Sequence, residues 1–120
     1  MFNARYRRAD EFILDDLGLR NISADMVITG EGRFDRQSMM NKASGIILKE
    51  FAPKNIPVFI CCGKADLSGI DDLPENVKFI ELERYFSSAE ESMQKFDEGI
   101  KRACGEIANI YNGTKNLTEL

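Results

Sequence analysis

Ala9, Phe12, Ile13 and Leu17 recur at the three- and four-residue intervals that line one face of a helix. Gly18 behind them suits a helix C-terminal cap. The rhythm then changes. Residues 24–29 and 57–62 are short apolar runs rich in β-branched side chains, each followed by a glycine, Gly30 and Gly63. Runs of that length and composition form buried strands. Residues 77–82 alternate apolar with polar, the pattern of a strand with one wetter face, nearer a sheet edge. Between the first two strands the sequence predicts a helix from near Ser44, carrying Ile46, Ile47 and Phe51 and stopped by Pro53. A last helix opens at Ser88 with Glu91 placed to complete a capping box. Its apolar face is Met93, Phe96, Ile100, Ala103, Ile107 and Ile110, and residues 112–120 are a polar tail expected to fray.

The order is helix, strand, helix, strand, strand, helix. Apolar strands alternating with helices argue an α/β fold: a parallel sheet of about three strands, joined by right-handed crossovers and covered on both faces. Residues 1–111 make one domain, with the tail beyond. Ligands bind parallel sheets at the carboxyl ends of their strands. That rule places two loops, residues 30–41 and 63–68, at the functional edge.

Composition narrows the partners. A 120-residue chain with 43% apolar and 30% charged residues is an ordinary globular one, and its formal charge is −4. No run of cations supplies the positive stripe that a nucleic-acid groove or a basic membrane-surface helix requires. No apolar run reaches the ~20 residues that span a bilayer, and residues 1–8 lack a secretory signal's apolar core. Three cysteines make no disulfide framework, and with no histidine a Cys/His metal site cannot form. Cys61 and Cys62, adjacent on a strand, point to opposite faces as buried thiols. A reducing cytoplasm is the expected compartment.

The first of the two loops concentrates chemistry. From Thr29 it reads Gly30, Glu31, Gly32, Arg33, Phe34, Asp35, Arg36, Gln37, Ser38, then Asn41 and Lys42. Mixed charge at a strand's end suits an anionic substrate or phosphoryl transfer, with cations on phosphate or carboxylate oxygens and carboxylates on a metal. A solvated loop whose Arg33 and Asp35 merely pair fits the residue types equally well. The loop is neither a dinucleotide fingerprint, since Asp35 replaces the third glycine, nor a P-loop, since no Gly-Lys-Ser/Thr follows. Of the other features, Lys64 and Asp66 read as a simple turn, Met39 and Met40 as exposed cover, and Tyr85 and Phe86 as packing residues.

Residues 24–38, with Lys42, closely resemble the signature of bacterial glycerate kinases, Ala-Asp-Leu-Val-Ile-Thr-Gly-Glu-Gly-Arg, an apolar residue, Asp, any residue, Gln and Ser/Thr, then Gly-Lys. Asp16 to Leu19, the strand ending at Gly63 and the helix start at Ser88 fit the same order, so the resemblance covers roughly residues 9–111, matching a carboxyl-terminal portion of the family. It implies a three-layer Rossmann-like domain and a kinase that uses ATP and Mg²⁺ to phosphorylate D-glycerate. The positions carried over are Asp35, Arg33 and Lys42 as catalytic, and Glu31, Gln37, Ser38, Gly30 and Gly32 as substrate-binding. Glu31 or Asp35 would hold the metal. Asn41 replaces the glycine before the lysine, where a left-handed backbone is still open to asparagine, and Ser44 stands where proline is common.

Family members are considerably longer, so the resemblance also implies that further groups of the site lie outside this sequence. A small sheet with open edges invites pairing with a second copy or with a separate amino-terminal portion. The rival reading is a non-catalytic α/β module that works by association. A receiver-like domain is disfavoured, because the acidic pair it needs after an early first strand is missing.

Overall fold

The computed structural model describes Leu14 and residues 18–119. The expected first helix falls outside them, although Gly18 does take the left-handed backbone of a cap, at φ 73°. Three parallel strands, β1 (Val27–Phe34), β2 (Val58–Ala65) and β3 (Val77–Glu81), form one sheet in the order β1-β2-β3. Val27 lies beside Val58, and Val58 beside Val77. Helices α1 (Ser38–Asn41) and α2 (Ala43–Phe51) follow β1, and α3 (Ala89–Gln94) and α4 (Phe96–Glu119) follow β3.

Two apolar clusters sandwich the sheet, giving the expected three-layer α/β arrangement. On one side Val58, Ile60, Cys62 and Val77 pack with Leu48 and Phe51 of α2. On the other, Phe59, Cys61 and Ile80 pack with Ala103 and Ile107 of α4. The period-2 alternation of β2 therefore sends its two cysteines to opposite faces, as expected. Burial pushes both thiols up, Cys62 to about 12, so both are protonated and inert near neutrality. Pro53 falls in the 3-10 turn that ends α2.

β1 and β2 run further than their apolar stretches suggest. β1 continues through Gly30 and Gly32 to Phe34, and β2 through Gly63 to Ala65, so residues 30–34 are strand and the loop begins only at Asp35. Cross-strand pairing supplies the reason. Arg33 stands beside Lys64 and Phe34 beside Ala65, so each extension satisfies the other's backbone. The glycines permit close approach: a Cβ on Gly63 would sit 2.8 Å from the Gly32 carbonyl oxygen. Beyond this point Phe34 joins the α2-side cluster, where strict alternation from Val27 would not put it. Its ring meets Phe79 edge-on at 4.9 Å.

The connection from β2 to β3 contains no helix. Ile70 and Leu73 cover the α2-side cluster, and the Asn76 amide donates to the carbonyls of Ala52 (3.0 Å) and Ile56 (2.7 Å), pinning β3's entry to the end of α2.

The final helix differs from expectation in three ways. Ser88 caps it, its hydroxyl accepting from the Glu91 N–H at 3.0 Å, but the Glu91 carboxylate reaches Ser87 rather than the cap's own N–H. The helix breaks at Lys95 (φ −108°, ψ 36°). That break takes Met93 and Phe96 off the buried face, leaving them 73% and 55% exposed, while Ile100, Ala103, Ile107 and Ile110 keep it. Helical backbone also carries on through residues 112–119, expected as a frayed tail, because each added residue of an anchored helix gains a bond without a new nucleus. Tyr85 and Phe86 pack as anticipated, with the Arg102 guanidinium over both rings and the Tyr85 hydroxyl donating to Glu106.

Gly45, in the first turn of α2, lies against α1 so closely that an added Cβ would be 1.9 Å from the Ser38 carbonyl oxygen. Gly45→Ala is expected to force the two helices apart and destabilise the chain by about 1–3 kcal/mol or more, read from the urea midpoint.

Candidate functional site at the carboxyl rim of the sheet

The chemistry-bearing residues gather where β1 and β2 end. β1's side chains alternate, and this sorts them. Glu31 projects on the α2 side, while Gly30 and Gly32 face the other side.

Glu31 is the hub of the first group. One carboxylate oxygen accepts from the Lys42 ammonium at 2.8 Å and from the Ser38 hydroxyl at 3.1 Å. The other accepts from the Ser44 hydroxyl. Ser38 and Ser44 are both buried, and the Glu31 side chain is only 10% exposed. Ser38 sits there because its own hydroxyl accepts from the Asp35 N–H at 3.0 Å, folding the chain into α1. Lys42, extended at φ −91° and ψ 154°, forms the corner between α1 and α2. No left-handed residue is needed at Asn41, because that extended corner makes the turn.

The second group is centred on Arg33. Its guanidinium lies between two carboxylates, 3.5 Å from Asp35 and 3.6 Å from Asp66. Each carboxylate is also tied to its own loop. Asp35 accepts from the N–H groups of Gln37 (2.9 Å) and Ser38 (3.3 Å), and Asp66 from that of Ser68 (3.0 Å). Asp35, Arg36, Gln37, Met40, Asp66 and Ser68 line an open polar cleft of ≈ 460 Å³.

Gly30 and Gly32 belong to neither group. They floor an apolar groove of ≈ 550 Å³ with Cys61, Gly63, Met93 and Phe96. Of the eight positions proposed from sequence, then, Glu31, Ser38 and Lys42 converge, Arg33 and Asp35 converge beside them, Gln37 lines the cleft, and the two glycines face away.

The chain belongs to the glycerate kinase family. The family's sequence model matches residues 1–112, which include the whole rim. The chain is 36% identical, over 90 residues, to a protein named glycerate kinase from Neisseria meningitidis. It is also 42% identical, over 53 residues, to uncharacterised proteins of Mycobacterium bovis and Mycobacterium tuberculosis. The first alignment covers 75% of this chain and 22% of the Neisseria protein, and the mycobacterial ones cover 44% and 13%. The aligned stretches thus span about a fifth of the Neisseria relative and about an eighth of the mycobacterial ones.

Two contributors escaped the sequence reading of this glycerate kinase family member. Ser44 stood out as a helix start and as a substitution for proline, yet its hydroxyl also completes the shell around Glu31. Asp66 read as part of a turn, because nothing local reveals that β2's end lies beside Arg33. The signal was the parallel register itself, which brings Lys64 level with Arg33.

A divalent cation does not fit this donor set as it stands. Every carboxylate oxygen of Glu31, Asp35 and Asp66 already faces a hydroxyl, an N–H or a cationic nitrogen. Among the described residues no three His, Cys, Asp or Glu side chains converge on one point. No helix among them is long and apolar enough to cross a membrane.

The hydrogen bond to Glu31 raises the Lys42 ammonium above its usual 10.5, with the charges of Glu31 and Asp35 adding to it and burial and Arg33 opposing. Its stabilising contribution is complete below the unfolded value and disappears as pH rises through the folded one. Asp66 goes the other way. Hydrogen bonds from Ser68, helped by the charges of Arg33 and Lys64, hold it below 3.8, so its contribution is present above that value and is lost on acidification. Glu31→Gln should return Lys42 towards 10.5 in a carbon-detected NMR titration; an unmoved Lys42 would show that the pairing is not what holds its proton.

Proposed function

We propose that this chain is the carboxyl-terminal part of a glycerate kinase-type phosphotransferase, which in its complete form moves the γ-phosphoryl group of ATP to a hydroxyl of D-glycerate. The observation that carries the reading is the pair of cations at the rim, Lys42 and Arg33, each held in place by carboxylates of this chain. Such a pair suits an anion that enters from the open cleft. Lys42 acts as a compact point charge, and Arg33 as a planar fork matched to a carboxylate or phosphate. Gln37 lines the same cleft and supplies hydrogen bonds to the substrate.

Asp35 is a positioning residue in this scheme, since it orients Arg33 and shapes the turn. Glu31 and Ser38 position Lys42. Phosphoryl transfer is catalysed by placement and by neutralising charge, and in this chain Lys42 and Arg33 are the groups that would neutralise it. The aligned stretch is 22% of the Neisseria relative, and activity is proposed only together with a polypeptide that supplies the remainder.

A second reading, association without catalysis, is favoured by a separate feature. β1 pairs only with β2 among the described residues, Ile28 on it is 51% exposed, and Met93 and Phe96 stand open over the groove floored by Gly30 and Gly32. An apolar strand edge of this kind is a template for another chain, whether a second copy or a separate amino-terminal portion.

D-glycerate at a hundredfold excess over its Kd should stabilise the chain by about 2.7 kcal/mol in a thermal melt, and Lys42→Ala should remove the response. No response from the unsubstituted chain, or an unchanged one from Lys42→Ala, would count against the substrate half-site. Sedimentation should show a dimer or larger species that Phe96→Glu dissociates; a monomer at every concentration would remove the association reading.

A further inference from the structure

We infer that Arg33 is a built-in cation standing where a divalent ion would otherwise sit between Asp35 and Asp66, so that the rim of this chain binds no such ion. The family reading leads to the opposite expectation, a metal on Glu31 or Asp35, and the geometry opposes it on three counts.

The first is occupancy. A small divalent ion such as Mg²⁺ needs oxygen ligands with free lone pairs, at about 2.0–2.1 Å in near-octahedral order. Asp35 and Asp66 each turn one oxygen to loop N–H groups and the other to the same guanidinium, at 3.5 and 3.6 Å. The oxygens a metal would bridge are the two that Arg33 already bridges.

The second is charge. A dication entering between Asp35 and Asp66 would sit against the Arg33 guanidinium, and one approaching Glu31 would meet an ammonium 2.8 Å from its oxygen. Like charges at such separations repel even in a partly wet site.

The third is connectivity. Arg33 is anchored on a strand end flanked by Gly32 and by the buried Phe34, while Asp35 and Asp66 leave from adjacent strands. The Phe34 carbonyl accepts from the Asp66 N–H at 2.8 Å, so the two loops are joined directly. The bridge therefore closes the gap between the β1 and β2 loops with a group that cannot dissociate. Glu31, Asp35 and Asp66 then act as counter-ions that aim cations at an anionic ligand.

The test uses Mn²⁺ alone and reads paramagnetic broadening of backbone amides, which needs neither glycerate nor nucleotide and so stands apart from the test of substrate binding. The unsubstituted chain should show no saturable broadening at Asp35 or Asp66. Arg33→Ala unmasks two facing carboxylate oxygens, and saturable broadening at both residues should appear. Arg33→Gln, which keeps the bulk of the side chain, should show the same gain should the alanine variant fold poorly, and adding Asp66→Asn should abolish it. Saturable broadening in the unsubstituted chain would overturn the inference. So would the absence of any gain in both Arg33 variants.

Discussion

A nearly buried carboxylate organises this rim. Glu31 lies within a strand whose side chain points beneath two helices, where a charge without partners would cost several kcal/mol. Ser38, Ser44 and Lys42 answer that requirement, and each comes from a different part of the segment that follows the strand. Satisfying Glu31 therefore fixes where α1 starts, how α2 departs and where the ammonium of Lys42 rests. Gly45 belongs to the same constraint, since only a residue without a side chain lets α2 lie close enough to α1 for Ser44 to reach the carboxylate.

The family assignment and the geometry support one another without being the same argument. Matching residues 1–112 establishes kinship. The geometry shows two cations, Lys42 and Arg33, each paired with carboxylates of this chain at the sheet's rim. The apolar groove on the opposite side of β1 has a different character. Its glycine floor and its exposed Met93 and Phe96 make it largely apolar.

Much of the architecture was readable from hydrophobic rhythm. The three strands, the helix ended by Pro53, the Ser88 cap and the opposed cysteines follow from local rules that operate within a few residues. What escaped was set by contacts distant in sequence. Gly30 and Gly32 looked like the start of a loop, since isolated β1 has no reason to continue past them; pairing with β2 supplies that reason. Met93 and Phe96 fitted the period of a buried face, but the turn at Lys95 shifts the phase between α3 and α4. Ser44 and Asp66 entered the site only through partners 13 positions away, in the case of Glu31, or on a neighbouring strand.

The change of face beyond Gly32 and Gly63 has a mechanical consequence. Arg33 meets solvent while Phe34, the next residue along, is wholly enclosed and wedged against Phe79. One peptide bond thus couples the solvent-facing guanidinium to a ring wholly enclosed in the core. Arg33 can swing about its own side-chain torsions, but its point of attachment has little freedom to drift. The rim is thereby preorganised: a ligand need not spend binding energy on immobilising this stretch of backbone.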